Sequence, residues 1–598
     1  MSQPDRRQIM MGAAATALAA GLAPAAQAAT PAKQQLYALF DAFFDEDLSQ
    51  SPEQATSLGL DTGKHADART KLSDRSTAAW LRDRAEPAQR IARLKTIDRK
   101  ALTGDDAINY DTALFNYEAR GGTSRFDFGD GARPFVLTQY YGSYISTPSF
   151  LDSRHKIASA ADADAYLARM KAFATVLDQE TQRASADAAK GVIPADFMVD
   201  KAIAQLQQFR ATPVDKSVLV ASAARRAKAY GDYDAKAAAI LTGEIHPALD
   251  RQIAALQAMR AKAVHDAGIG RLKDGDAFYA ALLKIYTTTN KTPEEVHRLG
   301  LDEGAEIQAR MDEILKKRGL TQGTVGQRMA SLNTMPGQVF ANTDEGRAEL
   351  LAYCTERLAK LQPLLPQWFG VMPKTPVVVR RVPAYTEAGS AGAYYERPAL
   401  DGSRPGAVYI NLRDTAERPR WSLATLMHHE GAPGHHFQLA LVAESNLPKL
   451  RQNMGFSANT EGWALYAEQV AMEMGIYDDG DDLGLLGMYQ ARLFRASRCV
   501  VDTGIHAKGW SREKAIAYMI ETGGDPEVRV SREVERYCAN PGQACSYKVG
   551  HTVWAALRER TKQRLGGKFD IKRFHDTALL VGPAPLTVLE GVIDRWQG

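Results

Sequence analysis

Apolar residues recur three and four positions apart over long windows, from about residue 33 to 120 and again from about 160 to 365, in stretches rich in Ala, Leu, Gln, Arg and Glu. That period predicts amphipathic helices. The clearest is "NKTPEEVHRLGLDEGAEIQARMDEILKKRG", in which Thr292 caps the start, Pro293 suits the first turn and Glu295 completes a capping box. Lys316, Lys317 and Gly319 close its far end. Between the two windows, "RGGTSRFDFGDGARPFVLTQYYGSYISTPSF" is rich in Gly and aromatics and reads as a long connection packed on the surface, with the lining of a cleft as the alternative.

The pattern changes once. "TPVVVRRV", "AGAYYER" and "GAVYINL" are short β-branched and aromatic runs separated by turn residues, which predicts a small antiparallel sheet from about residue 375 to 412. Tyr394 and Tyr395 alternate there, so one should face the core and the other a cleft. Helices resume near Trp421 and run to the end, with Gly566-Gly567 as a stop. The fold class is therefore mainly α, a large multi-helix chain with a small sheet.

The chain divides into residues 1–28, an N-terminal helical region at 29–370 and a region at 371–598 that carries the chemistry. Residues 1–28 read as an export signal, with Arg6-Arg7, an Ala-rich apolar run and a small-residue site at Ala26-Gln27-Ala28. The arginine pair and the weak hydrophobicity favour the twin-arginine route, with an ordinary secretory signal as the alternative. Either places the mature chain in the periplasm or outside the cell.

Composition narrows the class of partner. Over 598 residues, 74 basic side chains balance 71 acidic ones to a net charge of +3, which implies neither a nucleic acid nor a membrane surface as partner. No stretch beyond the signal approaches the roughly 20 apolar residues of a membrane span. Of four cysteines, Cys538 and Cys545 stand close enough for a disulfide or for two buried free thiols.

The chemistry concentrates in "LMHHEGAPGHHFQ", residues 426–438. In an unbroken helix, residues four apart share a face about 6 Å apart along the axis, which lets H-E-x-x-H set two imidazoles on one zinc. Here His429 and His435 are six apart, which a regular helix would place about 120° and 9 Å from each other. Pro433-Gly434 supplies the remedy: proline disrupts the helix ladder and glycine permits unusual dihedrals, so a local bulge can return His435 to the ion. A catalytic zinc takes three protein ligands. Glu461, in the first turn of a helix started by Asn459 or Thr460 and beside Gly462, is the third candidate. Glu430 then stands as general base.

"HHEGAPGHHFQ" followed by "EGWALYAEQ" resembles the bacterial domain-of-unknown-function family 885, which is grouped with gluzincin-type zinc metallopeptidases. "TTTNKTPEEVHRLG", "AGAYYERPALDGSRPGAVYINL", "VVDTGIHAKGWSREKAI", "RYCANPGQACSYKVG" and "FHDTALLVGPAPLTVLE" agree in order along most of the mature chain. The resemblance implies a zincin-like helical metallopeptidase with its small sheet beside the active-site helix, one zinc per chain held by His429, His435 and Glu461, Glu430 as catalytic base, and a peptide substrate.

Further candidates surround that set. His428 and His436 read as outer or packing residues, with His436 for His435 the main alternative. Asp502 and His506, four apart on one helical face, suit a supporting carboxylate and an oxyanion donor, or a plain intrahelical pair. Tyr547 is a phenolic donor or a core tyrosine. Arg532 and Arg536, a turn apart, are candidates for a substrate carboxylate. The expected function is hydrolysis of short or unfolded peptides. The alternatives are an amidase on modified peptides or cell-wall fragments, and a non-catalytic periplasmic binding protein. The sequence leaves oligomeric state open.

Overall fold

A computed structural model describes residues 30–384, 387, 391–398 and 404–598. The expected signal at 1–28 lies outside the described residues. Helices Pro31–Gln50, Thr77–Leu94 and Gly104–Ser124 close around Phe40, Phe43 and Tyr117, and Ala160–Ala189, Asp196–Ala211 and His246–Arg260 build a second core around Phe173 and Leu206. Among the described residues no helix is long and apolar enough to cross a membrane.

The helices that build the site are labelled in chain order: α1 (Pro293–Lys317), α2 (Arg420–Glu430), α3 (His435–Ala443), α4 (Ser457–Glu473), α5 (Asp482–Lys508), α6 (Glu527–Ala539) and α7 (Ser546–Leu565). α1 starts as its sequence dictates, with the Thr292 side chain and Glu295 exchanging hydrogen bonds in a capping box. It lies along α5 across the boundary near residue 370, and the largest core joins Phe278 and Val296 from one side of that boundary to Cys499, Tyr537 and Val549 from the other. α4 is buried on nearly all sides, its Trp463, Leu465 and Tyr466 fully so. It runs between α2 and α7.

The small sheet is mixed, where an antiparallel one was expected. Strands β1 (Val377–Arg381), β2 (Ala393–Glu396) and β3 (Gly406–Ile410) are ordered β1-β3-β2, with β3 parallel to β1 and antiparallel to β2. Alternation along a strand reports which face is buried but not which way its neighbour runs. The two tyrosines point to opposite faces: Tyr394 lies outward, stacked on Tyr409 at 5.1 Å between ring centres, and Tyr395 turns in toward α3.

All four cysteines are free and buried, so the Cys538–Cys545 pair is two thiols and not a disulfide. The Gly- and aromatic-rich connection folds onto both regions. Its Phe126 and Phe128 rings meet Phe278, each at 5.0 Å between centres, and the Tyr140 hydroxyl donates to the Arg532 carbonyl on α6 at 2.7 Å.

Candidate metal centre

The six-residue histidine spacing is absorbed by a true break in the helix. α2 ends at Glu430, residues 431–434 leave helical geometry and α3 begins at His435. The Ala432–Pro433 peptide is cis. Only glycine fits at position 434, because a Cβ there would stand 2.0 Å from the His429 carbonyl oxygen. Backbone groups freed by a break need partners when buried. The indole N–H of Trp463 on α4 donates to the carbonyls of Pro433 at 2.9 Å and Gly434 at 3.3 Å, and the His436 amide donates to the Gly431 carbonyl at 3.1 Å.

The break turns two imidazoles toward one carboxylate. His435 Nε2 lies 3.3 Å and His429 Nε2 lies 3.6 Å from the same Glu461 oxygen, and the His429 and His435 rings stand 4.8 Å apart, nearly perpendicular. One donor atom from each of His429, His435 and Glu461 falls within 4.8 Å of the others. Two ligand atoms each about 2.0–2.1 Å from one tetrahedral ion stand about 3.3 Å apart, so these separations suit a single ion with little movement. Two imidazoles and a carboxylate are a donor set that zinc accepts.

Glu461 sits in the second turn of α4 and not in the first, because α4 starts at Ser457, a turn earlier than expected. Asn459 caps nothing there; its side-chain oxygen accepts from Gln438 of α3 at 3.0 Å. Gly462 does provide a close approach. A Cβ on it would stand 2.5 Å from the Gly550 backbone of α7.

A carboxylate not picked out in the sequence completes the cluster. Glu468, seven residues after Glu461 on the same face of α4, takes a hydrogen bond from His429 Nδ1 at 2.7 Å and another from the Thr425 hydroxyl. An ionised carboxylate only accepts, so Nδ1 carries a proton that goes to Glu468, while Nε2 points at Glu461 and would give up its own proton to a bound ion. Burial opposes ionisation of Glu468, but the bond from His429 and the charge of Arg495 outweigh it and hold its pKa below the usual range. Burial likewise disfavours charge on His429, yet Glu461 and Glu468 raise its pKa to about 9. The pocket favours positive charge where a cation would sit.

Glu430 is 9% exposed at the C-terminal end of α2, directly after His429, and its carboxylate has no hydrogen-bond or ion-pair partner among the described residues. Tyr547, in the first turn of α7, lies where burial first and the Glu461 charge next raise its pKa, which keeps the phenol protonated and able to donate.

His436 is not a ligand candidate. Its Nδ1 meets the Tyr395 hydroxyl at 3.0 Å and its Nε2 the Thr375 carbonyl at 3.1 Å, so it ties α3 to the sheet. His428 is fully buried against Tyr477. His506 does not fill the oxyanion-donor role expected of it, because both ring nitrogens are taken by the main chain: Nδ1 accepts from the Ile269 amide at 3.3 Å and Nε2 donates to the Tyr537 carbonyl at 3.1 Å. Asp502 supports no metal ligand; it accepts from the Tyr279 hydroxyl and from the Gly542 amide at 3.0 Å. Arg532 is half exposed and 3.9 Å from Glu417, while Arg536 pairs with Glu533 at 3.0 Å.

Comparison with known proteins agrees with this architecture. The crystal structure of a "putative lipoprotein" from Colwellia psychrerythraea superposes with a TM-score of 0.89 at 33% identity, covering 95% of this chain and 99% of that one. A "putative lipoprotein of unknown function" from Shewanella oneidensis superposes with a TM-score of 0.74 at 21% identity over 94% of this chain and 100% of that one, a likeness of fold. No curated protein matches the chain. Residues 52–593, which include the whole histidine and glutamate cluster, match the family described as "Bacterial protein of unknown function (DUF885)", and the chain belongs to that family.

Proposed function

We propose that the chain is an exported zinc metallopeptidase of zincin-like design that hydrolyses short or unfolded peptides. The observation that carries this reading is the convergence of His429, His435 and Glu461 within 4.8 Å, with the Glu430 carboxylate, unpartnered among the described residues, next in sequence to His429. Bound there, zinc would polarise a carbonyl and make water more acidic. Glu430 accepts a proton from the attacking water as its oxygen bonds to the carbonyl carbon, and returns it to the leaving nitrogen as the C–N bond breaks. Glu468 holds the His429 ring in the tautomer that offers Nε2. The Tyr547 hydroxyl donates to the oxyanion. Export is supported by the arginine pair and apolar run of the N-terminus and by the lipoprotein descriptions of the two structural relatives.

Metal analysis of the purified mature protein, together with cleavage of a peptide library, tests the reading. The expected result is one zinc per chain and peptide cleavage, with Glu430→Gln still loaded but slower by about 10²–10⁴-fold. A protein that takes up no divalent metal, or a Glu430→Gln variant as active as the parent, overturns it.

A further inference from the structure

Beside the cluster lies an arginine whose charge the fold does not fully answer. Arg498 on α5 is only 8% exposed. Its Nε donates to the Tyr537 hydroxyl at 2.9 Å and its Nη2 to Glu533 at 2.9 Å, while its buried Nη1 has no hydrogen-bond partner among the described residues. Glu533 is shared: it also takes Arg536 at 3.0 Å and the Tyr537 hydroxyl at 2.8 Å. Two guanidinium groups thus face one carboxylate, and Arg536 Nη1 donates to neutral Gln543 at 2.7 Å. A buried cation in excess, with spare N–H donors, is an arrangement that an incoming anion completes.

Its position ties this charge to the reaction. The Arg498 guanidinium lies over the Tyr547 ring, 4.4 Å from the ring centre, and the first turn of α7, which carries Tyr547, meets the first turn of α4, a turn before Glu461, where the Ser546 and Ser457 hydroxyls are 2.7 Å apart. α5 packs against α2, α4 and α7, which carry His429, Glu461 and Tyr547. The one anion every linear peptide brings is its C-terminal carboxylate. We infer that Arg498 receives the C-terminal carboxylate of a short peptide, which sets the scissile bond near that end and makes C-terminal trimming the mode of action. This rests on the peptidase reading above, and it differs from the sequence expectation, which looked to Arg532 and Arg536.

Binding separates the two. Zinc-loaded Glu430→Gln protein is titrated calorimetrically with a mixed pool of N-acetyl tripeptides as free acids and with the same pool as C-terminal amides. The free acids should bind at least tenfold more tightly, a margin that shrinks to under threefold when Arg498→Met is added and survives only in part with Arg498→Lys. The comparison of acids with amides needs no Arg498 variant to fold. Equal affinity for acids and amides, or equal cleavage rates by the parent enzyme, overturns the role of Arg498 while leaving hydrolysis intact. A preference for acids with no bond ever cleaved supports the carboxylate site and overturns the peptidase reading.

Discussion

His429 and Glu468 are joined through Nδ1 and Oε1 at 2.7 Å, wholly inside the protein. The bond fixes both the plane of the imidazole and the nitrogen it offers. Carboxylates in this position strengthen the histidine as a ligand, and losing one costs 10–100-fold in metal affinity. Glu468→Ala should therefore weaken zinc binding by about that factor, read by competition with a chromogenic chelator, while helical content by circular dichroism is unchanged. Affinity equal to the parent would show that the bond has no part in holding an ion.

Tyr547→Phe removes one hydroxyl and leaves the ring that Arg498 covers. If that hydroxyl steadies the oxyanion, kcat should fall about 10²-fold with KM changed by little, because the interaction is made in the transition state and not with the bound peptide. Steady-state kinetics on a cleaved library peptide checks this. A change confined to KM would assign the tyrosine to ground-state binding.

Gly462→Ala places a methyl group against the Gly550 backbone, 2.5 Å away where van der Waals contact needs more than 3 Å. Neither partner is a flexible side chain, so α4 and α7 must separate. Overpacking of this kind costs about 1–3 kcal/mol. Urea denaturation should show that loss, with metal affinity reduced as well, since the residue beside Glu461 is displaced.

Asp502 provides a pH test away from the cluster. Burial pushes its pKa up to about 7, against the opposing bonds from Tyr279 and Gly542. Its unfolded value is about 3.9, so between those two values the folded chain binds the extra proton. The contribution to stability is full below pH ~4 and is lost as pH rises through about 7, a swing of at most ~4 kcal/mol. Relative to Asp502→Asn, the parent should lose stability across that window in urea titrations. A constant difference between the two proteins from pH 4 to pH 8 would remove Asp502 as its source.

What the sequence disclosed follows from local physics. The capping box at Thr292 and Glu295 is written in four consecutive residues, and helix α1 starts where it directs. The Pro-Gly interruption signalled a break between His429 and His435, because neither residue type sustains a helix ladder. Strand direction in the sheet was not legible, since it depends on the route of the chain between β1 and β3 and not on residue pattern. Glu468 was within reach: seven residues from Glu461, it shares its face on any helix spanning "EGWALYAE". Arg498 and the main-chain bonds of His506 were not, because their partners at 533, 269 and 537 meet them only after α5 has packed.

His435 and His436 are neighbours in the first turn of α3, about 100° apart around its axis. One faces the cluster and the other is bound at Tyr395 and Thr375. The sheet thereby acts as a rotational stop: turning α3 by a single residue would exchange the two rings, and the strand side bars that slip. A sheet of only a few residues per strand thus sets which imidazole reaches Glu461, so changes at Tyr395 belong with changes at the cluster itself.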